Sequence, residues 1–190
     1  MKISGIIVAS GILLALAFWM RVRILTPHDS PRGGLPPLTA EEATLSRRLA
    51  KHVAVLAGDI GERNLWRYGA LKQAARYITV QMEDLGYAVV PQEYQVEGKS
   101  VVNLIAEIKG ASLPEEIIVV GAHYDSVAGS PGANDNATGV AAVLETARLL
   151  AGRETGRTVR FAAFVNEEPP FFQTARMGSL VYARAAGRKK

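Results

Sequence analysis

Three short polar clusters carry the residue types that bind divalent metals and move protons. They are His123-Tyr124-Asp125-Ser126, Gly132-Ala133-Asn134-Asp135-Asn136 and Asn166-Glu167-Glu168. His123 and Asp125 stand two apart, so on extended backbone they share a face. Asp125 is then placed to take the second imidazole nitrogen of a metal-binding His123 and fix its tautomer. Asp135 sits in a Gly- and Asn-rich loop, where backbone can approach closely, and its two oxygens can bridge two cations. Glu167 and Glu168 are adjacent carboxylates, which repel unless cations or protons compensate. Two divalent metals would do so, with one Glu as ligand and the other free as base. The chain has no cysteine, which excludes disulfides and thiolate zinc sites and leaves His, Asp and Glu as ligands. Taken singly, each cluster has an ordinary explanation: a surface His–Asp pair, a helix N-cap, a solvated turn before Pro169-Pro170. All three in order, each at a loop where a sheet would place it, point to one shared site.

The elements around these clusters predict that placement. Thr39-Ala40-Glu41-Glu42 reads as a capping box, and Leu45, Leu49, Val53 and Leu56 recur at helical spacing to about Ala57. A second helix fits Tyr68 to Leu85, with Leu71, Ala75, Ile78 and Met82 on one face and Gly86 as its cap. Tyr87 to Val96 and Val101 to Ile108 look like an antiparallel pair around Gly98. Ile117 to Gly121 is wholly apolar, the mark of a strand covered on both faces. Ala137 to Leu150 is a helix with Val140, Val143, Leu144 and Ala147 inward. Arg157 to Val165 is a strand, central in character from Phe161, and Gly178 to Ala186 is helical. The predicted class is α/β, a mixed and largely parallel sheet flanked by helices. In such sheets ligands gather beyond the carboxyl ends of the strands, where the His123 and Glu167 clusters lie.

The N-terminus has its own character. Lys2 precedes an uncharged run, Ile3 to Met20, ended by Arg21; about 18 apolar residues just span a bilayer as a helix. Ala15-Leu16-Ala17 resembles a cleavage site, but bulky Phe18 and Trp19 follow it, which favours an uncleaved signal anchor over a removed signal peptide. The division expected is 1–23 signal anchor or signal peptide, 24–38 a Pro/Gly linker, and 39–190 the folded domain. Arg21 and Arg23 would favour keeping the bulk of the chain inside. Export is the commoner outcome for such an N-terminus, so the expectation is an extracytoplasmic domain held at the membrane, or secreted if the signal is cleaved. Net charge is +4, of which +3 falls before residue 37. The remainder is near neutral and shows no basic stripe interleaved with aromatics, so nucleic acid is not an expected partner.

Val120-Gly121-Ala122-His123-Tyr124-Asp125-Ser126, Gly132-Ala133-Asn134-Asp135-Asn136-Ala137-Thr138-Gly139 and Phe164-Val165-Asn166-Glu167-Glu168 resemble the di-zinc aminopeptidase family. That family also holds bacterial leucyl aminopeptidases, glutamate carboxypeptidase II and glutaminyl cyclases. The resemblance runs from about Leu45 to the C-terminus and implies a zinc-exopeptidase-like fold, incomplete here. It implies that His123 binds one of two zinc ions, that Asp135 bridges both with a cis peptide to Asn136, and that Glu168 binds the second. Glu167 is then the general base acting on a peptide substrate, and Asp125 the partner behind His123. Two departures stand out. Pro169-Pro170-Phe171-Phe172 replaces a Gly-rich stretch, with Met177-Gly178-Ser179 arriving later, which bears on the substrate pocket rather than the metals. The family also takes an Asp and a His from further downstream, and after Glu168 this chain has neither. The resemblance thus implies weak metal binding and no activity for the chain alone, as a fragment, a frameshifted copy or a degenerate one. Alternatives are a non-catalytic receptor-like or scaffold domain of the same fold, and a glutaminyl-cyclase-like transferase.

Overall fold

The computed structural model describes residues 11–13, 15–16 and 36–187. Most of the expected signal anchor and linker lies outside them. No helix among the described residues is long and apolar enough to cross a membrane. The chain divides into Met1–Leu38 and Thr39–Lys190, and the second unit is the one that carries the polar clusters.

That unit opens on the capping box. The Thr39 hydroxyl accepts from the Glu42 amide at 3.2 Å and the Glu42 carboxylate accepts from the Thr39 amide at 2.7 Å, which satisfies two of the donors a helix start leaves bare. Helix α1 spans Ala40–Val53 and runs on as a wider π-helical turn, Ala54–Ile60, before Gly61 turns the chain at φ 75°. Asn64 caps a short 3-10 turn, Leu65–Arg67, by accepting from the Trp66 and Arg67 amides, both at 3.1 Å. Helix α2, Tyr68–Asp84, buries Leu71, Ala74, Ile78 and Met82.

The sheet has strands β1 (Val90–Val96), β2 (Lys99–Ile108), β3 (Leu113–His123) and β4 (Arg157–Phe164), in the order β1-β2-β4-β3. β1 and β2 form a hairpin closed by Glu97 and Gly98, both at positive φ, the backbone a two-residue hairpin turn requires. The mixed sheet has one parallel pair, β3 with β4, while β2 pairs antiparallel with both β1 and β4. The parallel share is therefore smaller than the strand–helix alternation suggests. The short β2–β3 connection does not close a hairpin because it crosses the start of β4. There the Gly110 amide donates to the Thr158 hydroxyl at 3.0 Å, and a side chain at Gly110 would meet the backbone at Arg157 and Thr158 at 2.6 Å.

β4 is central as its sequence predicts, with Val159, Phe161, Ala162 and Ala163 buried. The reading of Ile117–Gly121 as covered on both faces is overturned. Among the described residues β3 is an edge strand, and Ile117, Ile118 and Val119 are 44, 48 and 45% exposed. An apolar run encodes a strand but says nothing about how many neighbours it has.

Helix α3 (Thr138–Leu150) buries the stripe Val140, Val143, Leu144 and Ala147. It lies on the face where Tyr87 meets Phe161 edge-on and donates its hydroxyl to Ala147. Helix α4 (Gly178–Gly187) lies on the other face, with Tyr182 against Phe164 and hydrogen-bonded to Arg160. Phe161 and Phe164 point to opposite faces because strand side chains alternate.

One polar group ties α1, α2 and α3 together. His52 on α1 is buried, with Nδ1 2.7 Å from the Tyr77 hydroxyl of α2 and Nε2 3.3 Å from Glu145 of α3. Glu145 in turn accepts from Arg148 at 2.7 Å. Burial lowers the His52 pKa below 6.5, outweighing the Glu145 carboxylate, with Lys51 and Arg48 adding to the fall. The unfolded chain then binds the extra proton, so this contribution to stability is present above the unfolded pKa and is lost as pH drops below it. The urea midpoint should fall on going from about pH 7.5 to about pH 5.5, and His52→Gln should flatten that dependence. An identical pH dependence in both proteins would exclude His52 as the group responsible.

Candidate metal centre

Parallel pairing sets the carboxyl ends of β3 and β4 side by side, with His123 in register with Phe164. The Tyr124 amide donates to the Phe164 carbonyl at 2.9 Å, so the pairing outlasts the strand and brings the His123 loop beside the Asn166-Glu167-Glu168 turn. The third loop joins them through Gly132, at φ 59°, where a side chain would lie 2.6 Å from both the Asp135 carbonyl and the Ser126 Cβ. Asp135 and Asn136 leave helical geometry, at φ −115° and −139°, and the peptide between them is cis. The Asn136 side chain then folds back to accept from the Gly139 amide at 3.0 Å.

Arg63 knits these loops together, and no motif in the sequence marks it. It is 0% exposed. Its guanidinium donates to the carbonyls of Tyr124 (2.6 Å), Leu56 (3.1 Å), Gly61 (3.1 Å) and Gly132 (2.9 Å), and to that of Pro131. Its backbone exchanges hydrogen bonds with Ser126. Burial lowers its pKa, and the charge of Asp125 opposes that fall. The planar fork lets one side chain reach five carbonyls at once, three of them sharing the two Nη1 hydrogens.

Within this frame His123, Asp135 and Glu168 each offer one ligand atom, all within 4.8 Å of one another. His123 Nε2 lies 2.9 Å from Asp135 Oδ1. His123 and Glu168 are half-buried and Asp135 is exposed. Burial alone would lower the His123 pKa, but Asp125 and then Asp135 outweigh it and raise it to about 9. Burial, followed by the charge of Asp135, raises that of Glu168. Clustered carboxylates around one imidazole are what a divalent cation relieves, and nitrogen with carboxylate oxygen is a donor set that zinc and its neighbours accept. The residues present therefore fit a metal ion.

Asp125 sits beneath the cluster, 2% exposed. Its carboxylate accepts from the amides of Glu167 and Glu168, both at 3.2 Å, and lies 3.5 Å from His123 Nδ1. The closer partner of Nδ1 is the Asp125 carbonyl at 3.1 Å. A carbonyl only accepts, so Nδ1 carries a hydrogen; the contact of Nε2 with the Asp135 carboxylate needs one there too, which a metal bound at Nε2 would displace. Asp125 thus orients the imidazole and also anchors the backbone of the two Glu residues.

Glu167 and Glu168 part company. Glu168 joins the cluster, whereas both Glu167 oxygens are taken by Ser179, Oε1 by its amide at 2.6 Å and Oε2 by its hydroxyl at 2.8 Å. The Pro169–Met177 excursion between them is anchored by buried Phe171, stacked on Trp66 at 6.0 Å. Besides Arg63, sequence reasoning missed Asn103, Tyr94 and the role of Ser179. Tyr94, whose pKa burial pushes up, shares its one hydroxyl hydrogen between the carbonyls of Val165 and Arg176. The only signal for any of them was Gly178-Ser179 standing apart from the paired Glu.

Residues 103–189 match the model of the family described as Peptidase family M28. The uncharacterized protein YfbL of Escherichia coli (strain K12) is 35% identical over 160 residues, 80% of this chain and 49% of that protein. The chain therefore spans about half the length of that relative. A zinc aminopeptidase from Bacillus subtilis superposes with a TM-score of 0.60 at 17% identity, covering 65% of this chain and 62% of its own. Fimbriiglobus ruber glutaminyl cyclase superposes with a TM-score of 0.60 at 25% identity, covering 86% and 60%.

Proposed function

We propose, from the match of residues 103–189 to the model of Peptidase family M28, that this chain supplies part of a two-zinc centre and the proton-transfer base of an aminopeptidase. The observation that carries the reading is the meeting of His123, Asp135 and Glu168 ligand atoms within 4.8 Å. His123 would hold metal through Nε2, and Asp135 and Glu168 through their carboxylates. Zinc bound there supplies a Lewis acid for the scissile carbonyl and makes a neighbouring water acidic. Asp125 keeps the imidazole facing the ion. Glu167, outside the ligand cluster, takes a proton from the attacking water and returns it to the leaving amine of the peptide. A catalytic zinc takes three protein ligands, so two ions need donors beyond these three residues.

The test is hydrolysis of an aminoacyl anilide, before and after chelation, by the protein with the remaining metal donors supplied. Turnover should vanish with the metal and return with added zinc. Undiminished turnover in the chelated protein would overturn the reading. The superposition on a glutaminyl cyclase over 86% of this chain favours a second reading, cyclisation of an N-terminal glutamine. Ammonia released from a Gln-initiated peptide whose chain stays intact would select that reaction; a freed amino acid would select hydrolysis.

A further inference from the structure

We propose that Ser179 is a positioning residue that holds Glu167 away from the metal ligands, so that of two adjacent carboxylates one remains a base. This rests on the peptidase reading above.

The clamp is built from a distance. β4 ends at Phe164, and the backbone turns at Asn166 with φ 59°. The chain then leaves through Pro169–Met177 and returns to the same strand end, where the Gly178 amide donates to the Val165 carbonyl at 3.0 Å. Asn103 of β2, 0% exposed, fixes that return. Its Oδ1 accepts from the Val165 amide at 3.1 Å and its Nδ2 donates to the Gly178 carbonyl at 2.8 Å. Gly178 has no room for a side chain, since a Cβ would lie 2.3 Å from Asn103 Oδ1 and 2.4 Å from the Val165 carbonyl. The second residue of α4 is therefore delivered to one spot, beside Glu167.

At that spot Ser179 offers two donors to two acceptors, 2.6 Å and 2.8 Å long. Its amide belongs to the first turn of α4, where N–H groups have no partner within the helix. Both bonds end on a carboxylate and are of the stronger, charge-assisted kind. A free glutamate side chain samples many rotamers. The clamp removes that freedom, and it leaves lone pairs on both oxygens for a water proton.

Two measurements test this. In the metal-free protein, the Ser179 amide proton should resonate far downfield by NMR and move upfield in Glu167→Gln, which weakens the acceptor. In the zinc-loaded protein with its remaining metal donors supplied, Ser179→Ala should lower kcat by about 10- to 100-fold, less than the loss of the proton-transfer group itself, with KM within about twofold. Ser179→Thr, which keeps the hydroxyl, should retain most of the rate. An amide resonance indifferent to Glu167→Gln, or full kcat in Ser179→Ala, overturns the proposal. If Ser179→Ala is fully active while Glu167→Gln is dead, the clamp fails and the peptidase reading stands. If Glu167→Gln is itself fully active, that reading has failed.

Discussion

Glu167→Gln is expected to lower kcat by about 100- to 10,000-fold, the usual contribution of a positioned acid–base group, while leaving zinc affinity close to that of the native protein. The two halves of this expectation come from different observations. Glu167 stays out of the cluster formed by His123, Asp135 and Glu168, so its charge is not needed to hold the ion. Both oxygens of its carboxylate are held by Ser179, and the residue next to it is Glu168 of the cluster. The amide of Gln keeps the shape and one acceptor but cannot take a proton near neutral pH. Single-turnover hydrolysis of an aminoacyl anilide, paired with zinc titration calorimetry, separates the two effects. A variant that loses zinc in parallel with rate would show Glu167 to be a ligand instead.

Arg63→Met should unfold the loops that carry the site. The substitution keeps most of the length of the side chain and removes every donor, leaving the carbonyls of Leu56, Gly61, Tyr124, Pro131 and Gly132 without that partner. The carbonyls of Leu56 and Gly132 keep the amides of Gly61 and Ala137, so those of Gly61, Tyr124 and Pro131 lose most; each buried acceptor left bare costs about 1–3 kcal/mol, and a loss of about 3 kcal/mol or more is expected. That is a large share of the stability of an ordinary domain. Arg63→Lys should recover only a part, because an ammonium has three donors and no fork. Urea midpoints of the three proteins measure this. A midpoint for Arg63→Met equal to the native one would show that water replaces the guanidinium at no cost.

What the sequence made legible was local. Thr39 and Glu42 announce the start of α1 because both partners of a capping box lie within four residues. The Val140–Ala147 stripe announces the buried face of α3 for the same reason. His123, Asp135 and Glu168 were readable because each stands in a compact polar cluster between periodic segments. Contacts that span the chain left no such trace. Arg63 meets Gly132 across a sequence separation of 69, and nothing around it distinguishes it from a surface arginine. Ser179 meets Glu167 only because Asn103 brings the chain back after the Pro-rich excursion. Strand order was equally hidden. The run at Ile117 specifies extended backbone, but whether it lies at the centre or the edge depends on where β4 inserts, and that depends on Gly110 letting the β2–β3 connection pass over Thr158.

The strand order β1-β2-β4-β3 also has a consequence for how the chain assembles. On a ribosome the first hairpin can zip up as soon as Ile108 is free, since its turn is two residues long and closing a short loop is fast. β3 emerges next and finds no neighbour, because its only partner among the described residues is β4, made some forty residues later. Until Phe164 appears, Ile117 to Val120 must wait unpaired, and then β4 has to slide between two strands already present rather than add to an outer rim. The step that completes the sheet is thus the same step that creates the metal cluster. A nascent chain stalled before it would present this apolar segment to chaperones, or to other nascent copies.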